Sequence, residues 1–360
     1  MNLNNWMLEH YSMTRVLVTG FEPFANHSRN ISGDLVNHLA EICSLVDPWK
    51  DIRNYELENI DLVIDKVILT VDQKGSVLTS EKLVAGERWD AIIHLGLCES
   101  CEQSRLEITA QNKLAMGIED NSGRKVIEKT LGSKNLDSTV NNTLIFTNDL
   151  KSKAVISYDA GTFICNETYF NTLSQINFRL PKSDSKIPCI FIHLPDYDKF
   201  SIHEGTELLL EIIGRILFKP VISVAAGIFL SDEKILISRR DKGSSFAGHW
   251  EFAGGKFELG ESASQAIERE IKEEFDWNVK SIEKFGNWFH STDDYDIDLQ
   301  VMICEFLDTI PELEDKRKWT SHDDARWISN LQDVSPFVGI DGIVAKAVFE
   351  SLSNPSGRFS

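Results

Sequence analysis

The stretch GGKFELGESASQAIEREIKEEFDW, residues 254–277, determines how we interpret the second half of the chain. Within it, apolar side chains recur three or four positions apart, at Ala266, Ile267, Ile271 and Phe275. That spacing places them on one side of a helix with 3.6 residues per turn. The sequence therefore predicts an amphipathic helix over residues 262–275.

The same predicted helix carries a cluster of acids. Glu270, Glu273 and Glu274 are three and four positions apart, so their carboxylates lie on one side. Like charges this close repel each other unless a cation lies among them, and hard oxygen ligands suit Mg²⁺ or Mn²⁺. Arg269 can hold an acid in place, and Gly255 lets the backbone turn closely beside the cluster. The alternative interpretation is a solvated acidic helix face.

Six residues of this stretch have the spacing of the Nudix box: a glycine, five residues, a glutamate, seven residues, then Arg-Glu-aliphatic-x-Glu-Glu. The region resembles the Nudix hydrolases, and its flanks are similar to the MutT-like members. The resemblance implies that Mg²⁺ or Mn²⁺ is held at Gly255, Glu270, Glu273 and Glu274, with Glu261 and Arg269 supporting those ligands. Asp276 stands where the family usually has glycine. Aspartate tolerates a left-handed helix end, so we expect only a local change there.

The activity that this resemblance implies is hydrolysis of nucleoside di- or triphosphates, with NTP or dNTP giving a nucleoside monophosphate and pyrophosphate. Glu273 is then a catalytic residue as well as a ligand, and a further general base comes from Asp323 or Asp324 in the segment SHDDARW. Arg240 matches a position that contacts the nucleotide in MutT-like members. Asp341 lies where such enzymes read the base, and a carboxylate suits an exocyclic amine, as on cytosine or adenine. It is equally placed to be the N-cap of the last helix.

The composition excludes two classes of partner. The chain has 360 residues, 42% of them hydrophobic, which is enough for two domain cores, and a formal net charge of −19. Nucleic-acid polymers and membrane surfaces are bound through excess Lys and Arg, which this chain lacks. No apolar run approaches the roughly twenty residues of a membrane span. A small nucleotide bound through a metal ion remains compatible with the charge, and a homo-oligomer is left open.

The N-terminus and the cysteines indicate the compartment. Residues 1–13 have no basic region followed by an apolar core, so we expect an N-terminal extension and no secretory signal. The six cysteines are irregularly spaced, and without a signal we expect reduced thiols in the cytoplasm. Cys98 and Cys101 form one CxxC pair. A zinc site needs a second pair, so we interpret this one as a chance pair.

Strands and helices alternate in the first half of the chain. We predict strands at residues 15–20, 60–71, 89–96, 154–158 and 189–193, and helices at residues 32–46, 163–175 and 203–218. This alternation indicates an α/β fold of three layers with a mostly parallel sheet. In such folds, sites form at the carboxyl ends of the strands.

Three side chains of the first half fall at such strand ends. Cys165 lies near the start of a predicted helix, whose dipole and free N–H groups favour a thiolate. His193 ends the strand IFIH and can take the thiol proton, and Glu107 can orient the imidazole. Nucleophile, base and orienting acid are the roles that covalent acyl chemistry needs. Taken singly, a core cysteine and a structural histidine remain alternatives.

The segments VLVTGFEPF, GTFICN and FIHLP resemble the pyroglutamyl peptidase I family, cysteine peptidases that remove an N-terminal pyroglutamate. The similarity covers about residues 15–218. It implies that Cys165 is the nucleophile, His193 the base and Glu107 the catalytic acid of the site. It also implies that Phe21 and Phe24 pack against the flat, uncharged lactam ring of pyroglutamyl peptides.

The rim of this site departs from the family pattern. Ile108 stands where many members have arginine, Leu97 where many bacterial members have glutamine, and Gly117 where arginine is common. Ala25 and the asparagine after it replace a glycine pair. Two interpretations follow: an active thiol peptidase with an altered rim, or an inactive domain that serves as an assembly scaffold.

The two halves are expected to be separate domains, residues 14–219 and 220–360, with Pro220 at the boundary. In the second half we predict a strand hairpin over residues 221–230 and 234–238, strands over 282–290 and 297–306, and a last helix over 341–352. That order fits the α/β/α sandwich of Nudix proteins with a mixed sheet. The sequence thus predicts a bifunctional hydrolase, a peptidase fused to a Nudix pyrophosphatase.

Overall fold

A computed structural model describes residues 13–142, 150, 153–178, 186–258 and 260–353 of the chain. It divides into two compact units, Met1–Lys50 with Tyr55–Lys219 and Asp51–Asn54 with Pro220–Ser360. The predicted N-terminal extension falls, apart from Met13, outside the described residues. Within the described part of the chain, no helix is both long and apolar enough to cross a membrane.

The first unit contains a mostly parallel sheet with helices packed around it. Its strands are β1 Thr14–Phe21, β2 Ile42–Leu45, β3 Ile60–Leu69, β4 Ala91–Leu97, β5 Ser104–Glu107, β6 Thr109–Ala110, β7 Leu136–Asp137, β8 Ala154–Ser157 and β9 Cys189–Leu194. Its helices are α1 Ile31–His38, α2 Gln73–Val84, α3 Ile164–Phe178 and α4 Ile202–Leu217. The main sheet has the order β2-β3-β1-β4-β9-β5-β8, and β6 pairs with β7 separately.

The centre of this sheet is parallel, as the sequence predicts. β3, β1, β4 and β9 run in the same direction, and β8 is parallel to β5. Residues 91–97 and 189–194 are buried along their whole length, which is the pattern of strands covered on both faces. Two antiparallel pairings complete the sheet, β2 with β3 and β5 with β9. The α/β fold class of this half is confirmed.

One local prediction in the first unit is wrong, and one helix was not predicted. The helix predicted over residues 32–46 ends at His38, and residues 42–45 form the edge strand β2, because pairing with β3 overrides the local helical pattern. The sequence analysis also missed α2. That helix begins after Asp72, whose carboxylate accepts the backbone N–H of Gly75.

The interpretation of the CxxC pair is also corrected. Cys98 and Cys101 form a disulfide, with their Cα atoms 5.4 Å apart. Cys43, Cys165, Cys189 and Cys304 are free cysteines, so the expectation of reduced thiols holds for these four only.

The second unit is built on a mixed sheet. Its strands are β10 Val221–Ser231, β11 Lys234–Arg240, β12 Trp250–Glu251, β13 Gly254–Lys256, β14 Val279–Ser291, β15 Asp296–Phe306 and β16 His322–Ile328. Its helices are α5 Ala263–Phe275 and α6 Asp341–Ser353, and a short 3₁₀ helix spans Leu331–Asp333. The order is β12-β11-β10-β15-β14, with β13 on β10 and β16 on β11. β10 and β15 are parallel, and the other pairs are antiparallel.

Hydrophobic cores lie on both faces of this sheet. Ala225 of β10 belongs to the core under α5, and its neighbour Ala226 belongs to the core under α6. Successive residues of a strand point to opposite faces, so one strand supplies both cores. The result is the α/β/α sandwich that the sequence predicts.

Helix α5 begins and ends as its sequence indicates. Ser262 is the N-cap, and it forms a capping box with Gln265. The four apolar residues of the predicted helix face are buried, at Ala266, Ile267, Ile271 and Phe275. Asp276 ends the helix in the left-handed region, with φ 59° and ψ 25°. Asp276 thus adopts the left-handed conformation that aspartate tolerates better than most residues, and the helix ends there.

Candidate active sites

The first candidate site joins three elements of the first unit. Glu107 is the last residue of β5, His193 lies in β9, and Cys165 lies in the first turn of α3. Because β5 runs antiparallel beside β9, Glu107 is brought next to the imidazole. Nδ1 of His193 is 2.8 Å from Oε1 of Glu107, and the thiol of Cys165 lies close enough to the imidazole to raise its pKa. The structure thus brings together the three residues that the sequence selects.

Burial and hydrogen bonding compete at His193. The side chain is nearly buried, which disfavours the imidazolium, but the hydrogen bonds to Cys165 and Glu107 outweigh burial and raise the pKa of His193 to about 9. At neutral pH the ring is therefore protonated and donates from both nitrogens. Glu107 is fully buried, and its Oε2 accepts no hydrogen bond from the described residues. Its carboxylate is committed to the imidazolium.

An apolar pocket opens beside the thiol of Cys165. Its other lining residues are Phe21, Phe24, Asn30, Val71, Leu97, Phe163 and Ile164. The rings of Phe24 and Phe163 have centroids 6.1 Å apart and are tilted by 36°. Both phenylalanines predicted to contact substrate therefore lie at the pocket. Asn30, the one polar side chain of this lining, already hydrogen-bonds the backbone of Glu22 and caps α1.

The residues that depart from the family pattern have different surroundings. Leu97 lines the pocket, Ile108 is buried beside β5, and Gly117 has open space where a side chain would begin. Ala25 adopts a φ of 51°, in the left-handed region that glycine occupies at no cost. Of these residues, Leu97 is the one that adds apolar surface to the pocket lining.

The second candidate site is organised by Arg269 on α5. Its Nε and Nη2 atoms donate to the two carboxylate oxygens of Glu261, at 2.7 and 2.9 Å. Its Nη1 atom donates to Glu270 at 2.9 Å and to Glu273 at 3.1 Å. The guanidinium also reaches the carbonyl oxygen of Lys256 in β13. One cation therefore gathers three of the acids that the sequence predicts to act together.

Among the described residues, no three His, Cys, Asp or Glu side chains are already arranged to hold a metal ion. Three features nevertheless fit a divalent cation here. Oε2 of Glu274 is buried and accepts no hydrogen bond from the residues that the structure describes. Burial raises the pKa of Glu270 and of Glu274. A side chain at Gly255 would collide with the carboxyl group of Glu270, so the glycine leaves room beside the acids. The donors are hard oxygens, which suit Mg²⁺ or Mn²⁺.

The structure places Ser321 and His322 against Glu274, and the sequence analysis missed both. The hydroxyl of Ser321 donates to Oε1 of Glu274, and Nδ1 of His322 lies 3.7 Å from Oε2. The other ring nitrogen of His322 is 2.8 Å from Glu251, a further residue that sequence reasoning missed. The imidazole stacks on Phe275, with centroids 4.8 Å apart. A polar chain thus connects the acid helix with β12 through β16.

The two aspartates predicted as general bases point elsewhere. Asp323 accepts from Nε of Arg239 at 2.7 Å, and Asp324 accepts from Lys316 and Arg326 at 3.0 and 2.9 Å. The residues immediately before them in the segment contact the acid helix instead. The structure therefore does not bring Asp323 or Asp324 to the carboxylates of α5.

Arg240 and Asp341 lie close together on the other side of Glu251. Nη1 of Arg240 is 2.9 Å from both carboxylate oxygens of Glu251. The carboxyl group of Asp341 accepts the backbone N–H of Phe252, and burial raises its pKa well above the usual range, with Glu251 adding to the effect. Its hydrogen bond goes to the segment after β12, whereas an N-cap would bond inside α6.

Comparison with known proteins gives two family matches. The pyroglutamyl peptidase model matches residues 14–207, and the NUDIX domain model matches residues 221–336. A pyrrolidone-carboxylate peptidase of Bacillus cereus is 28% identical over 189 residues, which are 51% of this chain and 79% of that protein. That of Enterococcus faecalis is 28% identical over 212 residues, 57% of this chain and 90% of that protein.

The second half also has a similar protein of known name. The CTP pyrophosphohydrolase of Escherichia coli is 52% identical over 54 residues, which are 15% of this chain and 40% of that protein. Among solved structures, the pyrrolidone carboxyl peptidase of Thermus thermophilus aligns with a TM-score of 0.44 and 24% identity, covering 56% of this chain and 99% of that one. The enzyme of Pyrococcus furiosus aligns with a TM-score of 0.47 and 23% identity, covering 57% and 98%.

Proposed function

Because the chain belongs to the pyroglutamyl peptidase family and carries a NUDIX domain after that region, we propose that it is a hydrolase with two independent active sites. The first removes an N-terminal pyroglutamyl residue from peptides through a thioester on Cys165. The second hydrolyses nucleoside di- and triphosphates with a divalent metal ion.

The hydrogen-bonded series Glu107, His193 and Cys165 beside an apolar pocket supports the peptidase most directly. The sulfur of Cys165 attacks the carbonyl carbon of the pyroglutamyl amide, and the C–N bond breaks while His193 gives its proton to the leaving amine. Water then hydrolyses the thioester, with the neutral imidazole taking a proton from the water. Glu107 keeps the ring oriented and stabilises its charged form.

The pocket chemistry supports the same substrate class. The lactam ring is flat and uncharged, so an aromatic surface binds it without leaving a buried charge unpaired. Phe21, Phe24 and Phe163 supply that surface. A free N-terminal glutamate would bring a carboxylate and an ammonium group into this apolar lining. We therefore expect discrimination against unmodified N-termini.

Replacement of the nucleophile tests the peptidase. Cys165→Ala is expected to abolish release of aminomethylcoumarin from its pyroglutamyl amide, and Cys43→Ala, at another free cysteine, is the matched control with unchanged activity. Wild-type protein that hydrolyses nucleotides but leaves the amide intact would favour the alternative, a scaffold domain. That alternative also predicts an ordinary iodoacetamide pH profile for Cys165.

In the second site, Glu270, Glu273 and Glu274 with Gly255 would hold Mg²⁺ or Mn²⁺. When bound, the ion neutralises phosphate oxygens and activates water. The side chain of Glu273 is 60% exposed and accepts a hydrogen bond from Arg269, and its exposure lets it reach the solvent side of the acid cluster. Arg269, itself held by Glu261, also donates to Glu270, whereas Glu274 accepts from Ser321.

The nucleotide base is proposed to carry an exocyclic amine, with cytosine favoured. Asp341 and Glu251 place two carboxyl groups beside Arg240, and carboxyl oxygens accept hydrogen bonds from an amino group. The similarity to a protein named CTP pyrophosphohydrolase supports the same choice. Uracil and thymine present a carbonyl oxygen at that edge, which carboxylate oxygens oppose. Because the pKa of Asp341 is raised, a protonated Asp341 would donate to that oxygen, so the discrimination rests mainly on Glu251.

A nucleotide screen with Mg²⁺ tests the second activity. CTP and dCTP are expected to give the monophosphate and pyrophosphate faster than UTP and dTTP. Glu273→Gln is expected to lower turnover by about 10²-fold or more, whereas Glu283→Gln, at an exposed site on β14, serves as the matched control. Turnover that is unchanged in Glu273→Gln would remove the assigned role of this residue. Asp341→Ala is expected to reduce the preference for CTP over UTP.

A further inference from the structure

The disulfide lies in the turn that connects two parts of the proposed peptidase site. Strand β4 ends at Leu97, which lines the pocket, and β5 ends at Glu107, which holds His193. Residues 98–103 are the whole connection between these strands. The bond between Cys98 and Cys101 therefore constrains most of the segment that joins the pocket wall to the catalytic acid.

The first half of this turn is tied to the strand that carries His193. The backbone N–H of Cys98 donates to the carbonyl oxygen of Leu194 at 2.8 Å, which extends the pairing of Gly96 with His193. A Cβ atom at Gly96 would lie 3.0 Å from the sulfur of Cys165, so the strand passes directly beside the nucleophile. A change in the turn is thus transmitted to the spacing between imidazole and thiol.

The turn also contacts the pocket through polar side chains. Oε1 of Glu99 is 2.8 Å from Nε2 of His27, and the ring of His27 packs against Phe24, with centroids 5.5 Å apart. On the other side, Nζ of Lys199 bonds the carbonyl oxygen of Cys101 at 3.4 Å and the carboxylate of Glu102 at 2.7 Å. The turn is therefore coupled to the aromatic wall as well as to β9.

The two sulfurs differ in access. Cys98 is partly exposed, whereas Cys101 is buried, with 1% of its surface exposed. Thiol–disulfide exchange proceeds by attack of a thiolate on an accessible sulfur, and exposed disulfides are the labile ones. The bond closes a loop with a sequence separation of 3. Cross-linking so short a loop restricts the unfolded chain little, which makes a purely stabilising role the weaker explanation.

We propose that Cys98 and Cys101 form a thiol–disulfide exchange site that controls the peptidase, with a dithiol as co-reactant. A thiolate of the dithiol attacks the sulfur of Cys98, the S–S bond breaks, and the sulfur of Cys101 leaves and takes a proton. The second thiol of the co-reactant then displaces Cys98, which becomes a thiol. The protein gains two thiols, and the dithiol is oxidised to a disulfide. This regulatory role rests on the proposed peptidase function.

The disulfide form holds Leu97 and Glu107 in the arrangement described here. Reduction releases the turn, so the pocket wall and the catalytic acid lose a shared constraint. Small displacements of catalytic groups are costly, and a shift near 1 Å can lower a rate by about 10²-fold. We expect kcat/KM of the reduced form to be about tenfold below that of the disulfide form or lower.

The test uses the full chain equilibrated in mixtures of reduced and oxidised dithiothreitol. Trapping with iodoacetamide and mass spectrometry scores the pair Cys98 and Cys101 separately from Cys165, and kcat/KM for the pyroglutamyl amide is measured in the same samples. The double variant Cys98→Ser with Cys101→Ser is the control, because it is fixed in the open form. Its remaining redox response reports Cys165 alone. Circular dichroism of the same sample reports whether the chain stays folded.

We expect the activity of the wild type to follow the fraction of disulfide reversibly, and that of the double variant to stay at the value of the reduced wild type. Equal kcat/KM in both forms, a double variant as active as the disulfide form, or a pair that stays reduced in every mixture would overturn the proposal. If the amide is not cleaved in either form, the proposed peptidase function fails instead. The alkylation rate of Cys165 then tests whether the turn acts on the site. The rate should differ between the disulfide and the reduced forms, and equal rates would reject the coupling.

Discussion

Replacement of Glu107 by glutamine tests how the peptidase site keeps its histidine charged. Glu107→Gln keeps the shape of the side chain but removes the charge that faces Nδ1 of His193 at 2.8 Å. Oε2 of Glu107 is buried without a hydrogen-bond partner among the described residues, so the new amide nitrogen has no acceptor at that position. The amide nitrogen finds an acceptor only if the side chain turns it toward Nδ1 of His193, to which it would then donate a hydrogen bond. The imidazole would then carry its proton on Nε2, facing the thiol, and could not accept the proton of Cys165.

The size of the effect follows from the pKa of His193. In the folded chain the pKa is raised from 6.5 to about 9, which corresponds to about 3 kcal/mol in favour of the imidazolium. The hydrogen bonds to Cys165 and Glu107 share this net effect, against the cost of burial. A hydrogen bond to a charged group contributes about 1.5–3 kcal/mol. Loss of the Glu107 charge should thus lower kcat/KM by about 10- to 100-fold and lower the pKa of His193.

The pH dependence gives a second readout. Protonation of the leaving amine requires the imidazolium, so activity of the wild type should fall as pH rises through about 9. Because the folded pKa lies above the unfolded value of 6.5, the stability contributed by this group is complete below pH 6.5 and is lost as pH rises through about 9. In Glu107→Gln the alkaline limb of activity should move to lower pH.

The assay is the pH profile of kcat/KM with the pyroglutamyl amide of aminomethylcoumarin. Glu207→Gln, at a side chain 66% exposed and facing His203, is the matched control and should keep the profile of the wild type. A Glu107→Gln profile with the alkaline limb still near pH 9 and kcat/KM within about threefold of the wild type would refute the reasoning.

Three further predictions concern the second unit. Gly255→Ala places a methyl group against the carboxyl group of Glu270, so Mg²⁺-dependent nucleotide hydrolysis should fall by about 10²-fold. Amide cleavage should be unchanged. Nucleotide turnover equal to that of the wild type would contradict the close approach of Gly255 and Glu270. Ile267→Ala leaves a cavity at a fully buried position and should cost about 2–5 kcal/mol in the free energy of unfolding, measured by urea denaturation. Ser262→Ala removes the N-cap hydrogen bond from the backbone of Gln265 and should lower the free energy of unfolding by about 1 kcal/mol. A decrease below about 0.3 kcal/mol, on the order of measurement error, would argue against the cap.

Periodic patterns made much of the fold predictable. The buried runs of β4 and β9 and the apolar face of α5 are local signals, because each pattern lies within one continuous stretch of the sequence. Residues 42–45 show the limit of such signals. Their conformation depends on pairing at the sheet edge with β3, which lies further along the chain. The local helical pattern did not predict this pairing, because the pairing is a tertiary contact.

The same distinction explains which site residues could be found. The acids of α5 share one helix, and their spacing alone brings them together. Glu251 and His322 are 71 residues apart, and they meet only because β12 and β16 both pair with β11. The sequence therefore led to the aspartates at 323 and 324, one and two positions further along. Asp323 follows His322 directly and points to the opposite face of β16, and the pairing with β11 shifts register between His322 and Asp324. Position along β16 decides which residue contacts Glu274, and that position is fixed by pairing with β11 across the sheet.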